Sequence, residues 1–144
     1  MGGRRKSREL ALQVLYQIDI SCENGRSALE IFWESFKVPR KSREFSERLV
    51  VGVSDHKEDI DNIIGRYSKN WSLKRMPKVD RNILRLSIYE LFFCLDIPAK
   101  VTINEAIELG KKFGTEKSGS FINGILDSVS ADIYKIGYRS RESD

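Results

Sequence analysis

Between Asp80 and Leu95 the chain reads DRNILRLSIYELFFCL, and on a helix its apolar side chains point nearly everywhere. Ile83, Leu86 and Phe93 fall on one side, Leu84, Leu91 and Leu95 on a second, Ile88 and Phe92 on a third. A surface helix needs one apolar stripe, so a helix that is apolar on several sides is enclosed by others. Arg81, Arg85 and Glu90 interrupt the run. A membrane span, which needs about 20 predominantly apolar residues, is thereby excluded.

The remaining apolar positions recur at helical spacing on single faces. Residues 4–22 read as a first helix with Leu10, Ala11, Val14, Leu15 and Ile18 inward. Asn24-Gly25 signals a turn, and Ser27 to Glu30 has the form of a capping box opening a second helix. That helix buries Leu29, Phe32, Trp33 and Phe36 and stops before Pro39. Phe45, Leu49, Val53, His56, Ile60, Ile63, Ile64 and Tyr67 predict one long helix from about Ser42 to Lys69, with Gly52 and Ser54-Asp55 as points where it divides if it does. Asn70 to Leu73 reads as a connecting turn, and Pro77 suits the first turn of the central helix.

Ile97-Pro98 ends the central helix, because the residue before proline avoids helical angles. A second capping box, Thr102 to Glu105, opens a helix carrying Ile103, Ala106, Ile107 and Phe113 and stopping at Gly114. The last helix starts near Ser118, with Ile122, Ile125, Leu126, Val129, Ile133 and Ile136 inward. No segment alternates convincingly for a strand. The expected class is all-α: six to seven helices in two small three-helix bundles sharing one core. Residues 1–136 form one domain, with sub-bundles about 1–70 and 71–136, and 137–144 is a polar, flexible tail.

Composition changes this picture little. The 144 residues carry a net charge of +4, and each half of the chain is +2, so any binding argument rests on local clusters. Two cysteines, Cys22 and Cys94, fit a reduced, cytoplasmic chain with buried thiols better than a disulfide framework. The basic N-terminus lacks the apolar stretch of a signal peptide. With one His and no paired Cys spacing, neither a metal nor another cofactor is expected.

Catalysis has little support. His56 lies on an inward stripe, no Ser or Cys is paired with a His as nucleophilic catalysis requires, and Gly114 and Gly119 do not form a phosphate loop. Nucleic-acid binding has more. Arg4, Arg5, Lys6 and Arg8 precede any acidic residue, and such a cluster neutralises phosphates. Tyr16 lies about two turns beyond Arg8, where an aromatic ring stacks an unpaired base. A second cluster, Lys111, Lys112 and Lys117, leads to Ser118 and Phe121 at the start of the last helix, whose free backbone donors suit a phosphate. The plain alternative is a solvated helix end for the cations and core packing for both rings.

Three stretches carry a family resemblance: RELALQVLYQID, RNILRLSIYEL and IPAKVTINEAIELGKKFGTEKSGSFINGILD. In this order they resemble the NusB family of bacterial transcription antitermination factors, from about Arg4 to Val129. The resemblance implies an all-helical protein of two three-helix subdomains and no catalysis. It implies a partner, the ribosomal protein NusE, with which the protein binds the single-stranded boxA element of nascent RNA. The pair helps build an antitermination complex on RNA polymerase in ribosomal RNA operons.

The family's RNA surface carries onto Arg4, Arg5, Arg8 and Tyr16, and onto Lys117, Ser118 and Phe121. For the protein partner it carries onto Asp80, Arg81 and Tyr89. Some members self-associate through the RNA surface, which leaves a homodimer open. Gly110 departs from the family's usual Ala, and Lys117 adds a cation at a variable position. The same fold opens some ribosomal RNA methyltransferases. An RNA-delivering accessory module and a protein scaffold without RNA binding are therefore the two rival readings.

Overall fold

The computed structural model describes residues 2–21, 24–35, 38–69 and 72–136, with side chains to Ile133. Among them are seven α-helices and no strand. They are α1 (Gly2–Ser21), α2 (Gly25–Ser35), α3 (Arg40–Asp55), α4 (Lys57–Tyr67), α5 (Lys78–Phe93), α6 (Ala99–Phe113) and α7 (Ser118–Ile136). A single 3-10 turn, Leu73–Arg75, precedes α5. No helix among the described residues is long and apolar enough to cross a membrane. Cys22, Phe36, the Asn70-Trp71 turn, the Ile136 side chain and the 137–144 tail lie outside what is described.

The enclosed helix predicted from its apolar sides is α5. It packs against α1, α3, α4, α6 and α7. From Asp80 to Phe92 every residue is buried except the partly exposed Arg81. The helix ends at Phe93, so Leu95, expected inside, is exposed beyond it.

Five polar side chains are also buried on α5, and each is satisfied. Asp80 accepts from Ser118 of α7 at 2.8 Å, and Asn82 donates to Asp19 of α1 at 2.8 Å. Arg85 bonds Asp61 of α4 and Ser87 its own helix. Glu90 takes Arg8 of α1 and Thr102 of α6. A buried polar group without a partner is destabilising by about 1–3 kcal/mol, so these bonds fix how neighbouring helices dock on α5.

The three prolines share one job. Pro39, Pro77 and Pro98 sit at the N-caps of α3, α5 and α6, and each carbonyl accepts the first helical bond. A cap donates nothing through its own N–H, so proline loses nothing there.

Three sequence expectations are corrected. The helix predicted over 42–69 is two helices, broken at His56 (φ −114°, ψ 19°). Its ring stacks on Phe93 at 4.3 Å, which turns α4 away from α3 and onto α5 and α7. Ser27 does not cap α2; Asn24 does, accepting the Ser27 N–H at 2.9 Å. Thr102 and Glu105 do not cap α6, which already begins at Ala99. Both side chains are taken by partners far away in sequence.

Candidate nucleic-acid interface

The first turns of α1 are anchored before they can present anything. Ser7 is buried, its Oγ 2.7 Å from the carbonyls of both Gly3 and Ser42, and Ser46 donates to the Ser7 carbonyl at 2.7 Å. This pins the start of α1 to α3 and leaves Arg4, Arg5 and Lys6 outward and exposed.

Beside them, carboxylates lie deeper than the cations they hold. Arg5 donates through Nε and Nη2 to Glu105 of α6 at 3.0 and 2.7 Å. Lys112 of α6 reaches Glu9 of α1 at 2.8 Å. Glu105 and Glu9 are each 14% exposed, whereas Arg5 is 56% and Lys112 59% exposed, so the positive heads stand above the acids. The hydrogen bond from Arg5 holds the Glu105 carboxyl below its ordinary range, against the opposing effect of burial. Arg4 lies 3.4 Å from Asp96, with its guanidinium 4.4 Å from the Phe45 ring centre.

Arg8 is placed differently from its neighbours. Its side chain is 5% exposed and grips Glu90 with bonds of 2.8 and 2.9 Å. Glu105 lies 3.7 Å away on its other side. Arg8, expected among the cations that meet phosphate, thus has its charge held inside, tying α1 to α5. Helical phase alone could not show this, because Arg8 looks like one more cation in a cluster of four.

The second cluster gathers where α6 hands over to α7. Lys111 pairs with Glu108 at 3.5 Å, and Lys112 lies 5.4 Å over the ring of Phe113, itself 37% exposed. Ser118 is 1% exposed; its Oγ accepts from the Thr115 N–H at 2.9 Å and donates to Asp80. It therefore shapes the turn and does not itself face outward. Phe121 is half-buried and lines, with Lys117, Ser120 and Asp80, a hollow of about 630 Å³. Burial pushes the Asp80 carboxyl up, only partly offset by the bond from Ser118.

The Glu9–Lys112 pair joins the two clusters, one helical turn past Arg5. Tyr16, 37% exposed, stands further along α1.

The three residues expected to meet a protein partner are largely internal. Arg81 is bidentate to Asp19 at 2.8 and 2.7 Å. Tyr89 is buried in the His56–Phe93 stack, where a Cβ on Gly52 would lie within its ring. Asp80 is 4% exposed at the wall of the Phe121 hollow. All three tie helices together, which a sequence motif cannot distinguish from direct contact. Sequence reasoning also missed Glu9 and Asp96, since an acid spaced to face a cation on another helix leaves no local signal, and it set Phe113 on an apolar face although the ring is 37% exposed. No group of three metal-ligating side chains occurs among the described residues.

A family model described as the NusB family matches residues 5–131. A transcription antitermination protein NusB of Syntrophus aciditrophicus (strain SB) is 51% identical over 135 residues, covering 94% of this chain and 84% of that protein. The solved T. maritima NusB superposes with a TM-score of 0.84 at 38% identity, covering 97% of this chain and 95% of that one. A crystal structure of the antitermination factors NusB and NusE in complex with dsRNA gives 0.80 at 32% identity, covering 91% and 98%.

Proposed function

This chain belongs to the NusB family, and from that membership we propose that it is a transcription antitermination factor that binds single-stranded, boxA-type RNA together with the ribosomal protein NusE. It acts as an adaptor in ribosomal RNA transcription, in the cytoplasm, with no catalysis of its own. The observation that carries the reading is the raised row of cations on α1 and α6, Arg5 and Lys112 above Glu105 and Glu9. That a NusB structure similar to this chain was solved with NusE in complex with dsRNA supports the partner.

In this reading Arg4, Arg5, Lys6 and Lys112 place the sugar–phosphate backbone. Tyr16 and Phe121 offer ring faces to splayed bases, since unpaired RNA is read by stacking and by the edges of bases turned outward. Lys111 and Lys117 add charge at the α6–α7 turn. Arg8, Ser118, Asp80, Arg81 and Tyr89 hold these elements in position.

The test is RNA binding by the full chain, with and without NusE, on boxA-like and scrambled strands. With three or four phosphates neutralised, log K should fall against log salt with a slope of roughly −2 to −3. Arg5→Ala with Phe121→Ala should weaken binding and reduce the preference for boxA-like strands. A flat salt response, or unchanged binding by that variant, would leave a protein scaffold as the better reading.

A further inference from the structure

On the other flank of α1 lies a groove that the family resemblance does not assign. It runs between α1 and α3, encloses about 540 Å³, and is lined by Arg4, Lys41, Glu44, Phe45 and Arg48 among others. Arg4 also lines the adjoining hollow of about 350 Å³ that holds Arg5 and Glu105. It therefore stands on the ridge between the α1–α6 surface and this groove.

The groove is preformed, because the Ser7, Ser42 and Ser46 bonds lock its two walls together. Its charge is mostly uncommitted. Arg48, which also bonds the Tyr89 side chain, shares a single carboxylate with Arg4: Asp96, at 3.8 and 3.4 Å and itself 54% exposed. Exposed pairs of this kind are worth about 0–1 kcal/mol, so a phosphate displaces them readily. Lys41 is exposed at the rim. Glu44, the one acid in the lining, is drawn toward Arg40 at 3.5 Å.

The lining also says what kind of ligand fits. Phe45 is its large apolar residue, and it is 8% exposed beneath the Arg4 guanidinium. A protein interface is anchored by apolar or aromatic side chains in desolvated pockets, and none is offered here. A base-reading site needs an open ring face, which is also missing from this lining. What remains is a channel of flexible cations, suited to a polyanionic backbone.

We infer that this groove is a second phosphate track: the backbone of an unpaired RNA flank crosses Arg4 and runs along Lys41 and Arg48, held by charge and without regard to sequence. The inference rests on the RNA-binding reading and extends it beyond the boxA element.

The experiment compares a boxA-like strand alone with the same strand carrying an unpaired flank of arbitrary sequence on either end, each bound by the NusE complex. The proteins are wild type, Lys41→Ala with Arg48→Gln, and Asp96→Asn. Wild type should bind a flanked strand more tightly. With two added phosphate contacts at about 0.7 counterions each, that gain should shrink about sevenfold between about 50 and about 200 mM salt. The double variant should lose the gain and keep its affinity for the short strand, while Asp96→Asn should enlarge it.

A short strand that binds normally with no gain from a flank overturns the track, as does a gain that survives in the double variant. Equal weakening of short and flanked strands also overturns it, since the groove would then be part of the boxA site. Failure of wild type to bind either strand overturns the RNA-binding reading itself, and this inference falls with it.

Discussion

Replacing Arg8 by Met should unfold this protein far more than it disturbs RNA. The Arg8 and Glu90 side chains are 5% and 1% exposed and share bonds of 2.8 to 3.2 Å. Without Arg8, Glu90 keeps only the Thr102 hydroxyl at 3.2 Å among these contacts, and its charge stays buried. Breaking a buried pair from one side is destabilising by about 3–5 kcal/mol, a large share of the 5–15 kcal/mol that holds a typical domain together. Removing both charges is different. Arg8→Met with Glu90→Met takes away the attraction and the desolvation penalty together, and should restore stability to within about 1–2 kcal/mol of wild type.

Urea unfolding at pH 7 measures both quantities, and the folded double variant then separates structure from binding. If Arg8 only ties α1 to α5, the salt slope of RNA binding is unchanged in that variant. If Arg8 neutralises a phosphate, the slope falls by about 0.7. A single variant that loses under 1 kcal/mol, or a double variant with the shallower slope, would refute the assignment of Arg8 to the interior.

Acid should reveal the Asp19 network. Burial raises this carboxyl, but bonds from Arg81 and Asn82 and the charge of Arg85 outweigh it and hold the pKa at about 2. A depressed folded pKa adds stability that is complete above the unfolded value and is lost as pH falls toward the folded one. About 2 kcal/mol should thus disappear between roughly pH 5 and pH 2, and urea titrations of Asp19→Asn should lack that loss. Asp80 has the opposite sign. Its pKa is raised, so Asp80→Asn should stabilise at neutral pH, read as a higher Tm. Gly124 has open space around the position of a Cβ, and Gly124→Ala should add about 0.5–1 kcal/mol by thermal melting. Gly52→Ala should do the reverse, because the new methyl group meets the Tyr89 ring.

The apolar pattern made the fold legible, since hydrophobic spacing is a local property. The enclosed α5, the inward stripes of α1, α4 and α7, and the all-helical class could be read from it. What escaped were bonds between residues distant in sequence. Thr102 and Glu105 have the spacing of a capping box, yet one binds Glu90 and the other Arg5. The break at His56 was legible only in part: Ser54-Asp55 marks a place for it, but the apolar spacing runs on unbroken, and the ring stacked on His56, Phe93, belongs to another helix. At the candidate site, the cation positions could be read but their exposure could not. Arg5 and Arg8 are three residues apart, and one stands in solvent while the other is enclosed. Local sequence distinguishes them poorly, because the difference lies in which acids α5 and α6 bring near.

The carboxylates tucked beneath Arg5 and Lys112 set a threshold for capture. A free lysine or arginine greets any passing nucleic acid, and cellular RNA supplies such passers-by in vast excess. In the proposed RNA-binding reading, Arg5 and Lys112 are already leashed to Glu105 and Glu9 and must slacken that hold before gripping a phosphate. Casual encounters then yield little. Retention falls to strands that add base stacking or a second protein, which is how a weakly basic molecule can stay vacant until its proper transcript emerges.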